Sequence, residues 1–218
     1  MGKTHGIKTP KKGRYNMRII VAGRMKSGKT FYTINEVIMK LINTRKILVL
    51  SLFDHPDYAE IPKLELSKLA SWCEKSHITN TRLLVCPDRE ELIKAVDIVR
   101  KHLNCIGTPP ALVVFEDCTK WVKDDNERLN KIVANFLFAS RNGNIDLLFQ
   151  FHSLFDVPRD IGKNATEIVL FKTADELDSE LKKKIGAAAY YKVKEAMPIL
   201  DSKKLDEYYS VIIEVESD

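Results

Sequence analysis

The feature that most constrains this chain is a glycine-containing turn between a short apolar run and an amphipathic one. Residues 17–22 read Met-Arg-Ile-Ile-Val-Ala, and the next eight are Gly-Arg-Met-Lys-Ser-Gly-Lys-Thr. A helical pattern follows at once, from Phe31 to Ile42. A G-x-x-x-x-G-K-T run between a strand and a helix is the pattern of a phosphate-binding loop, the Walker A motif. It predicts an α/β domain that binds a nucleoside triphosphate.

Each position of the loop has a chemical role in that binding. Glycines at 23 and 28 let the backbone bend so that consecutive N–H groups point at the phosphates, and the helix N-terminus adds a favourable dipole. We expect Lys29 to reach the β and γ phosphates, and the Thr30 hydroxyl to ligate Mg²⁺. The predicted cofactors are therefore ATP and Mg²⁺. The predicted nucleotide-contacting residues are Gly23, Arg24, Met25, Lys26, Ser27, Gly28, Lys29, Thr30 and Phe31.

Charge is unevenly distributed along the 218 residues, whose net charge is +5. Residues 1–35 contain nine Lys or Arg and no Asp or Glu. We expect a flexible basic N-terminal arm at 1–14, a P-loop ATPase core at 15–175 and a C-terminal elaboration at 176–218 packed on the core. The arm could hold nucleic-acid phosphates or could be a solvated tail. No apolar run reaches the roughly 18 residues of a membrane span and no signal peptide is visible, which predicts a cytoplasmic protein.

Apolar runs alternate with amphipathic ones through the predicted core. The predicted strands are 17–22, 46–53, 82–86, 111–115, 145–151 and 167–172, and the predicted helices are 31–42, 60–73, 87–103 and 126–141. Alternation of this kind predicts a three-layer sandwich, with a mostly parallel central sheet and helices on both faces. Beyond residue 174 the pattern weakens to a charged helix ending near 184 and two strands, at 187–193 and 208–214.

Two adjacent acidic residues, Glu116 and Asp117, follow the fourth predicted strand. Beside a phosphate-binding loop, one carboxylate can hold Mg²⁺ through its water shell while a second polarises the water that attacks the γ-phosphate. By position, Glu116 is assigned to the metal shell and Asp117 to the water. The reverse assignment, and a role limited to capping the next helix, both stay open.

The fifth predicted strand carries two polar residues near its end, Gln150 and His152. Because they are two residues apart, they are expected to share one face of the strand. If this strand lies beside the loop strand, either side chain could sense the γ-phosphate and so belong to the catalytic set with Lys29. The alternative for each is a hydrogen-bonded polar group in the core.

Four segments of the chain resemble the FtsK–HerA superfamily of DNA-pumping ATPases, and most specifically the small genome-packaging ATPases of membrane-containing icosahedral viruses. They are the loop at 23–30, the strand end Phe-Glu-Asp at 115–117, Ser-Arg-Asn at 140–142, and Leu-Leu-Phe-Gln-Phe-His-Ser-Leu-Phe-Asp-Val-Pro at 147–158. The likeness spans roughly residues 15–175 and implies the additional-strand, RecA/FtsK-like type of P-loop NTPase fold. Two departures stand out: the acidic pair is inverted, and His152 stands where the family usually has Gln.

The resemblance implies an ATP-hydrolysing, DNA-translocating motor that packages a viral or mobile-element genome. It also implies a hexameric or pentameric ring, in which an arginine of one subunit acts on nucleotide held by the next. Arg141 is the catalytic candidate for that role, and Arg159 is the other arginine that could fill it. The implied partners are double-stranded DNA and a capsid or portal component, in the host cytoplasm or on the virion. The loop at 119–123 (Thr-Lys-Trp-Val-Lys) combines cations with an aromatic ring and could contact DNA or anchor an interface.

Three other functions are compatible with the loop. A Zot-like phage-assembly ATPase would be a close relative, but such proteins tend to carry a membrane segment. A small-molecule phosphotransferase such as a nucleotide kinase usually has an arginine-rich lid, and no such cluster is visible in the sequence. A non-catalytic ATP-dependent switch is favoured only by the inverted order of the acidic pair.

Overall fold

The computed structural model describes residues 16–75, 80–102, 110–120, 127–142, 144–203 and 208–215. Within these residues one sheet has seven strands: β1 (Arg18–Ala22), β2 (Lys46–Ser51), β3 (Thr81–Val85), β4 (Ala111–Phe115), β5 (Ile145–Phe151), β6 (Glu167–Phe171) and β7 (Ser210–Glu214). Their order across the sheet is β3-β2-β4-β5-β1-β6-β7. The first six run parallel, and β7 pairs antiparallel with β6 at the edge.

The helix after the loop begins as α1 (Lys29–Tyr32), continues through a π-helical segment (Thr33–Ile38) and ends as α2 (Met39–Leu41). The remaining helices of the described residues are α3 (Leu69–Glu74), α4 (Arg89–His102), α5 (Glu127–Asn142), α6 (Arg159–Lys163), α7 (Ser179–Ile185) and α8 (Ala187–Asp201). Short 3₁₀ turns occupy Pro56–Tyr58, Leu66–Lys68, Cys118–Lys120 and Leu154–Asp156.

The central strands are predominantly apolar because helices cover both faces of the sheet. In β1, Ile19 and Val21 pack with the helix that follows the loop, whereas Ile20 and Ala22 belong to the larger core on the opposite face. That larger core takes side chains from α3, α4, α5, α7 and α8. Alternation of side chains across a strand makes a run without polar residues the expected sequence for a strand buried on both sides.

The predicted fold class is confirmed, including the additional strand. β5 lies between β1, which carries the phosphate-binding loop, and β4, which carries the acidic pair. In this arrangement the carboxyl ends of β1, β4 and β5 meet at one edge of the sheet, where ligands of open α/β sheets bind.

The helix predicted over 60–73 is wrong in its first half. Residues 60–65 are irregular, and α-helix begins only at Leu69. The segment runs alongside β3 instead: Leu83 donates its N–H to the Pro62 carbonyl, and Leu64 donates to the Leu83 carbonyl. Pro62 disfavours a helix because it lacks an N–H and restricts the residue before it.

The strand predicted at 187–193 is also wrong, because these residues begin α8. Its tyrosines and valine favoured a strand. The buried residues of α8, however, are Ala189, Val193, Ala196 and Leu200, a helical spacing that covers the sheet. The strand predicted at 208–214 is confirmed as β7, and the charged helix before it is confirmed as α7.

Two further expectations concern membrane-spanning segments and the segments predicted to contact DNA. No helix among the described residues is both long and apolar enough to span a bilayer. The basic arm at 1–14 and the tip of the 119–123 loop, with Trp121, lie outside the described residues.

Candidate nucleotide-binding site

The glycine-containing loop leaves the carboxyl end of β1 between the ends of two neighbouring strands. Gly23 donates its N–H to the Phe151 carbonyl at the end of β5, at 3.2 Å. Arg24 donates to the Lys172 carbonyl just after β6, at 3.0 Å. The two hydrogen bonds fix the start of the loop to the ends of β5 and β6, the strands on either side of β1.

Both glycines of the motif lie where a side chain would not fit. A Cβ added to Gly23 would stand 2.5 Å from Cβ of Phe171. Gly28 has a φ of +98°, and its Cβ would stand 2.7 Å from Cδ1 of Tyr208. Glycine is required at 28 both for its backbone conformation and for this close approach.

Lys29, the first residue of α1, folds back over the loop. Its Nζ donates to the carbonyl oxygens of Gly23 and Arg24, each at 2.8 Å. The side chain is only 8% exposed, and this burial lowers the pKa of Lys29 to about 8, against the opposing charges of Asp117 and Glu116. The ammonium group therefore lies within electrostatic reach of both acids.

The two acidic residues after β4 occupy different environments. Glu116 is buried, and its Oε2 accepts a 2.9 Å hydrogen bond from the Ser51 hydroxyl at the end of β2. Asp117 has a φ of 50°, in the left-handed region, which turns it out of the strand direction. Asp tolerates this conformation better than most residues, and such conformations concentrate at functional sites. The Glu116 carboxylate is thus buried and hydrogen-bonded at the carboxyl end of β4, whereas Asp117 turns away from the direction of that strand.

His152 links Lys29 to Asp117. Its Nε2 lies 2.9 Å from Oδ1 of Asp117, and its Nδ1 lies 3.5 Å from Nζ of Lys29. An ammonium group can only donate and a carboxylate can only accept. The imidazole of His152 therefore lies between a donor, Lys29, and an acceptor, Asp117. The loop lysine, the histidine after β5 and the acid after β4 therefore form one continuous polar network.

Gln150 does not take part in this network. It is 2% exposed, and its Nε2 donates to Oγ1 of Thr33 at 2.8 Å and to the Tyr58 hydroxyl at 3.3 Å. The first bond connects β5 to the helix after the loop, and the second connects it to the 3₁₀ turn Pro56–Tyr58. Of the two predicted sensor residues, the structure brings His152 to Lys29 and Asp117, whereas it gives Gln150 hydrogen bonds inside the core.

The turn that carries His152 is held by residues from distant parts of the chain. The His152 N–H donates to Oγ1 of Thr119 at 2.9 Å. Asp175 accepts hydrogen bonds from the Ser153 hydroxyl and, at 2.8 Å, from the Leu154 N–H. Lys184 of α7 donates from Nζ to the Phe155 carbonyl. The position of His152 therefore depends on the segment leading into the C-terminal helices.

The other predicted site residues have separate positions. Arg24, Met25 and Lys26 are exposed at the tip of the loop. Thr30 is half-buried in the first turn of α1, and the Ser27 hydroxyl is buried with no hydrogen-bond partner among the described residues. Phe31 is exposed. The backbone of Arg141 lies in the last turn of α5, whereas Arg159 is exposed at the start of α6.

Sequence reasoning missed Ser51, Thr119, Asp175 and Tyr208 as residues of this region. Ser51 carried a detectable signal, because it is a hydroxyl ending an otherwise apolar strand at the same edge as the acids. Thr119 follows Asp117 by two residues, so its closeness in sequence could have indicated it. Asp175 and Tyr208 reach the site through tertiary structure alone, and nothing in their local sequence indicates it.

No protein-family model matches this chain, and no curated protein matches it in sequence. Solved structures do match. A genome-packaging NTPase, B204 of Sulfolobus turreted icosahedral virus 2, solved with AMP, is 18% identical, with a TM-score of 0.67 over 91% of this chain and 92% of the viral one. The same NTPase solved with ATP-γS gives 19% identity and a TM-score of 0.64 over 93% of each chain.

Part of a larger ATPase also matches. The cytoplasmic domain of the type VII secretion ATPase EccC of Thermomonospora curvata is 9% identical, with a TM-score of 0.59 over 91% of this chain and 24% of that one. At identities this low, the structural matches show a common fold. The predicted likeness to a viral genome-packaging ATPase is therefore confirmed at the level of the fold, over nearly the whole chain.

Proposed function

We propose that this protein is an ATPase that uses hydrolysis to move double-stranded DNA, packaging a viral or mobile-element genome. The observation that carries the proposal is the network joining Lys29, His152 and Asp117 at the end of the loop. A cation, a histidine and a carboxylate meeting beside a phosphate-binding loop form a set suited to γ-phosphate hydrolysis. The fold shared with the viral packaging NTPase supports the DNA-directed part.

The site fits a triphosphate on its own features. Gly28 has a φ of +98°, a conformation that lets the loop backbone bend as a phosphate cradle requires. The buried Ser27 hydroxyl without a described partner adds a polar atom at the same place. Lys29 bonds to its own loop carbonyls, and a bound phosphate would replace these acceptors with stronger, charged ones.

Thr30 and Glu116 are the residues that would hold Mg²⁺, Glu116 through water. A hydroxyl and a carboxylate are oxygen ligands of the kind that Mg²⁺ prefers, and the hydrogen bond from Ser51 fixes one oxygen of Glu116. When bound, Mg²⁺ neutralises part of the phosphate charge.

Hydrolysis assigns a task to each remaining side chain. A water oxygen bonds to the γ-phosphorus as the bond from that phosphorus to the bridging oxygen breaks, and the products are ADP and inorganic phosphate. Asp117 orients the water and accepts its proton. Lys29 stabilises the charge on the phosphoryl oxygens, while His152 holds the Asp117 carboxylate and contacts Lys29. As a γ-phosphate sensor, His152 would report the state of the nucleotide to the turn after β5.

We also propose that the chain acts as a ring with nucleotide between subunits, in which Arg141 or Arg159 reaches the neighbouring site. The exposed position of Arg159 is compatible with that role. Double-stranded DNA, and a capsid or portal component, are the proposed partners.

Phosphate release, measured with and without duplex DNA, tests this function. We expect turnover that DNA stimulates, and loss of turnover in Lys29→Ala. Lys40→Ala is the matched control, because Lys40 lies on the same helix with an exposed side chain paired to Glu36. Transfer of phosphate to a small acceptor would identify a kinase instead, and nucleotide binding without turnover would identify a switch.

A further inference from the structure

Two exposed aromatic side chains lie next to the phosphate-binding loop. Phe31 is 58% exposed and Tyr208 is 63% exposed. Their rings are nearly parallel, with an interplanar angle of 16° and centroids 6.0 Å apart. Phe31 follows the loop directly, whereas Tyr208 comes from the C-terminal segment. We call this pair the aromatic platform.

Tyr208 is seated on the loop itself. The distance of 2.7 Å between its Cδ1 and a Cβ added to Gly28 means that the edge of its ring contacts the loop backbone. After Tyr208 the chain enters β7, which pairs with β6 and places Ser210 opposite Phe171. Earlier in the chain, the Lys172 side chain donates to the Lys203 carbonyl at 3.0 Å.

The strand order places the platform on the side of the loop away from the acids. Glu116, Asp117 and His152 come from the ends of β4 and β5, on one side of β1. Tyr208 leads into β7, beyond β6 on the other side. In a Walker A loop the lysine reaches the β and γ phosphates, while the loop amides cradle the α and β phosphates. With the γ-phosphate toward the acids, the α-phosphate, ribose and base leave toward β6 and β7.

We propose that Phe31 and Tyr208 bind the base of the nucleoside triphosphate by stacking. The inference rests on the proposed function and adds a base-binding subsite that the loop motif does not contain. Stacking uses the face of the base, which every nucleobase has, so it discriminates weakly between bases. The platform therefore takes ATP and GTP with similar affinity, and the two-ring purines more tightly than pyrimidine nucleotides.

The test compares two ligands that share the phosphates and differ in the base. Mg·ATP and Mg·tripolyphosphate are titrated calorimetrically into the full chain and its variants. Removal of one stacking side chain in Tyr208→Ala should weaken ATP binding about tenfold. Its affinity for tripolyphosphate should stay within about twofold, because the loop contacts remain. Tyr208→Phe should bind ATP as the unmodified protein does.

Tyr191→Ala is the control for removal of an exposed tyrosine. Tyr191 is 53% exposed on α8, and its variant should leave both affinities unchanged. Unchanged ATP affinity in Tyr208→Ala would overturn the base-binding role. Equal losses for ATP and tripolyphosphate would overturn it too, since Tyr208 would then support the loop rather than the base. If the unmodified chain bound neither ligand, the proposed function itself would be wrong.

Discussion

His152 and Asp117 are paired across the ends of β5 and β4, with 2.9 Å between Nε2 and Oδ1. Neither residue can be moved without changing the surroundings of the other. Because the histidine also approaches Lys29, this pair connects the phosphate-binding loop to the residue proposed to activate water.

We predict that His152 and Asp117 act as a unit in hydrolysis. Asp117→Asn should lower kcat by roughly 10²- to 10⁴-fold while ATP still binds, because it removes a general base. His152→Ala should lower kcat less, and the double variant should lose little more than Asp117→Asn. Steady-state kinetics with a binding assay measure this. His55→Ala is a matched control, since His55 is near Asp57 on the surface. Independent, multiplicative losses would contradict the prediction.

From the lowered pKa of Lys29, we predict that nucleotide binding is accompanied by proton uptake at mildly alkaline pH. Its pKa near 8 leaves it largely neutral at pH 9 in the free protein and charged at pH 7. A triphosphate favours the charged form and raises that pKa, so binding at pH 9 should take up a proton and affinity should fall as pH rises above 8. Calorimetry in two buffers of different ionisation enthalpy measures the uptake. Equal uptake at pH 7.5 and pH 9 would contradict this origin.

A ring with sites shared between subunits predicts a dominant effect of inactive subunits. Mixing Arg141→Ala protein with unmodified protein should lower ATPase activity more than in proportion to the fraction added, because each variant subunit silences its neighbour's site. The same titration with Arg159→Ala identifies which arginine acts. A linear decrease for both would argue that neither acts across the interface.

We predict that deletion of the N-terminal arm changes the salt dependence of DNA binding. Residues 1–14 contain five Lys or Arg. Deletion should reduce the slope of log K against log salt by about 0.9 for each DNA phosphate that the arm neutralises. A full-length variant with these five replaced by Gln separates charge from length. An identical slope in both variants and in the unmodified protein would mean that the arm does not bind DNA.

From the raised pKa of Glu167 on β6, we predict that the free energy of unfolding depends on pH. Burial, together with the facing Glu214, raises the pKa of Glu167 to about 7 from 4.5. Between these values the native state binds more protons than the unfolded chain, so the free energy of unfolding falls as pH rises from 4.5 to 7. Glu167→Gln should remove this slope and stabilise the protein at pH 7.5 by on the order of 2 kcal/mol.

Denaturant titrations at several pH values measure this effect. Glu214→Gln is the comparison variant and should flatten the slope less, because burial is the larger cause of the shift. An unchanged slope in Glu167→Gln would contradict the assignment.

The elements that sequence analysis predicted well are those whose residues are dictated by burial on both faces. β4 and β5 have the predicted bounds, 111–115 and 145–151, because a short and predominantly apolar run in a parallel sheet has few alternatives. The prediction failed at α8, where alanines favour a helix while the tyrosines and valine favour a strand. The need to cover the sheet with a helix decided between them.

The candidate site divides in the same way. The loop motif and the acidic pair are contiguous in sequence and could be recognised there. Asp175 and Tyr208 could not, since each acquires its contact only when the C-terminal segment folds back. Outside the site, the environment of Lys46 could not be predicted from its local sequence either. It is fully buried, and its Nζ donates to three carbonyls at the end of α3, those of Trp72, Cys73 and Lys75.

The hydrogen bonds from Ser153 and Leu154 to Asp175 have a mechanical consequence. They make the turn after β5 a short hydrogen-bonded linkage between His152, the proposed γ-phosphate sensor, and the chain entering α7. A load that displaces α7 would pull on that linkage and alter the spacing between His152 and Asp117. Conversely, if His152 contacts the γ-phosphate as proposed, a shift of His152 on phosphate departure would be passed through the same hydrogen bonds toward the C-terminal helices.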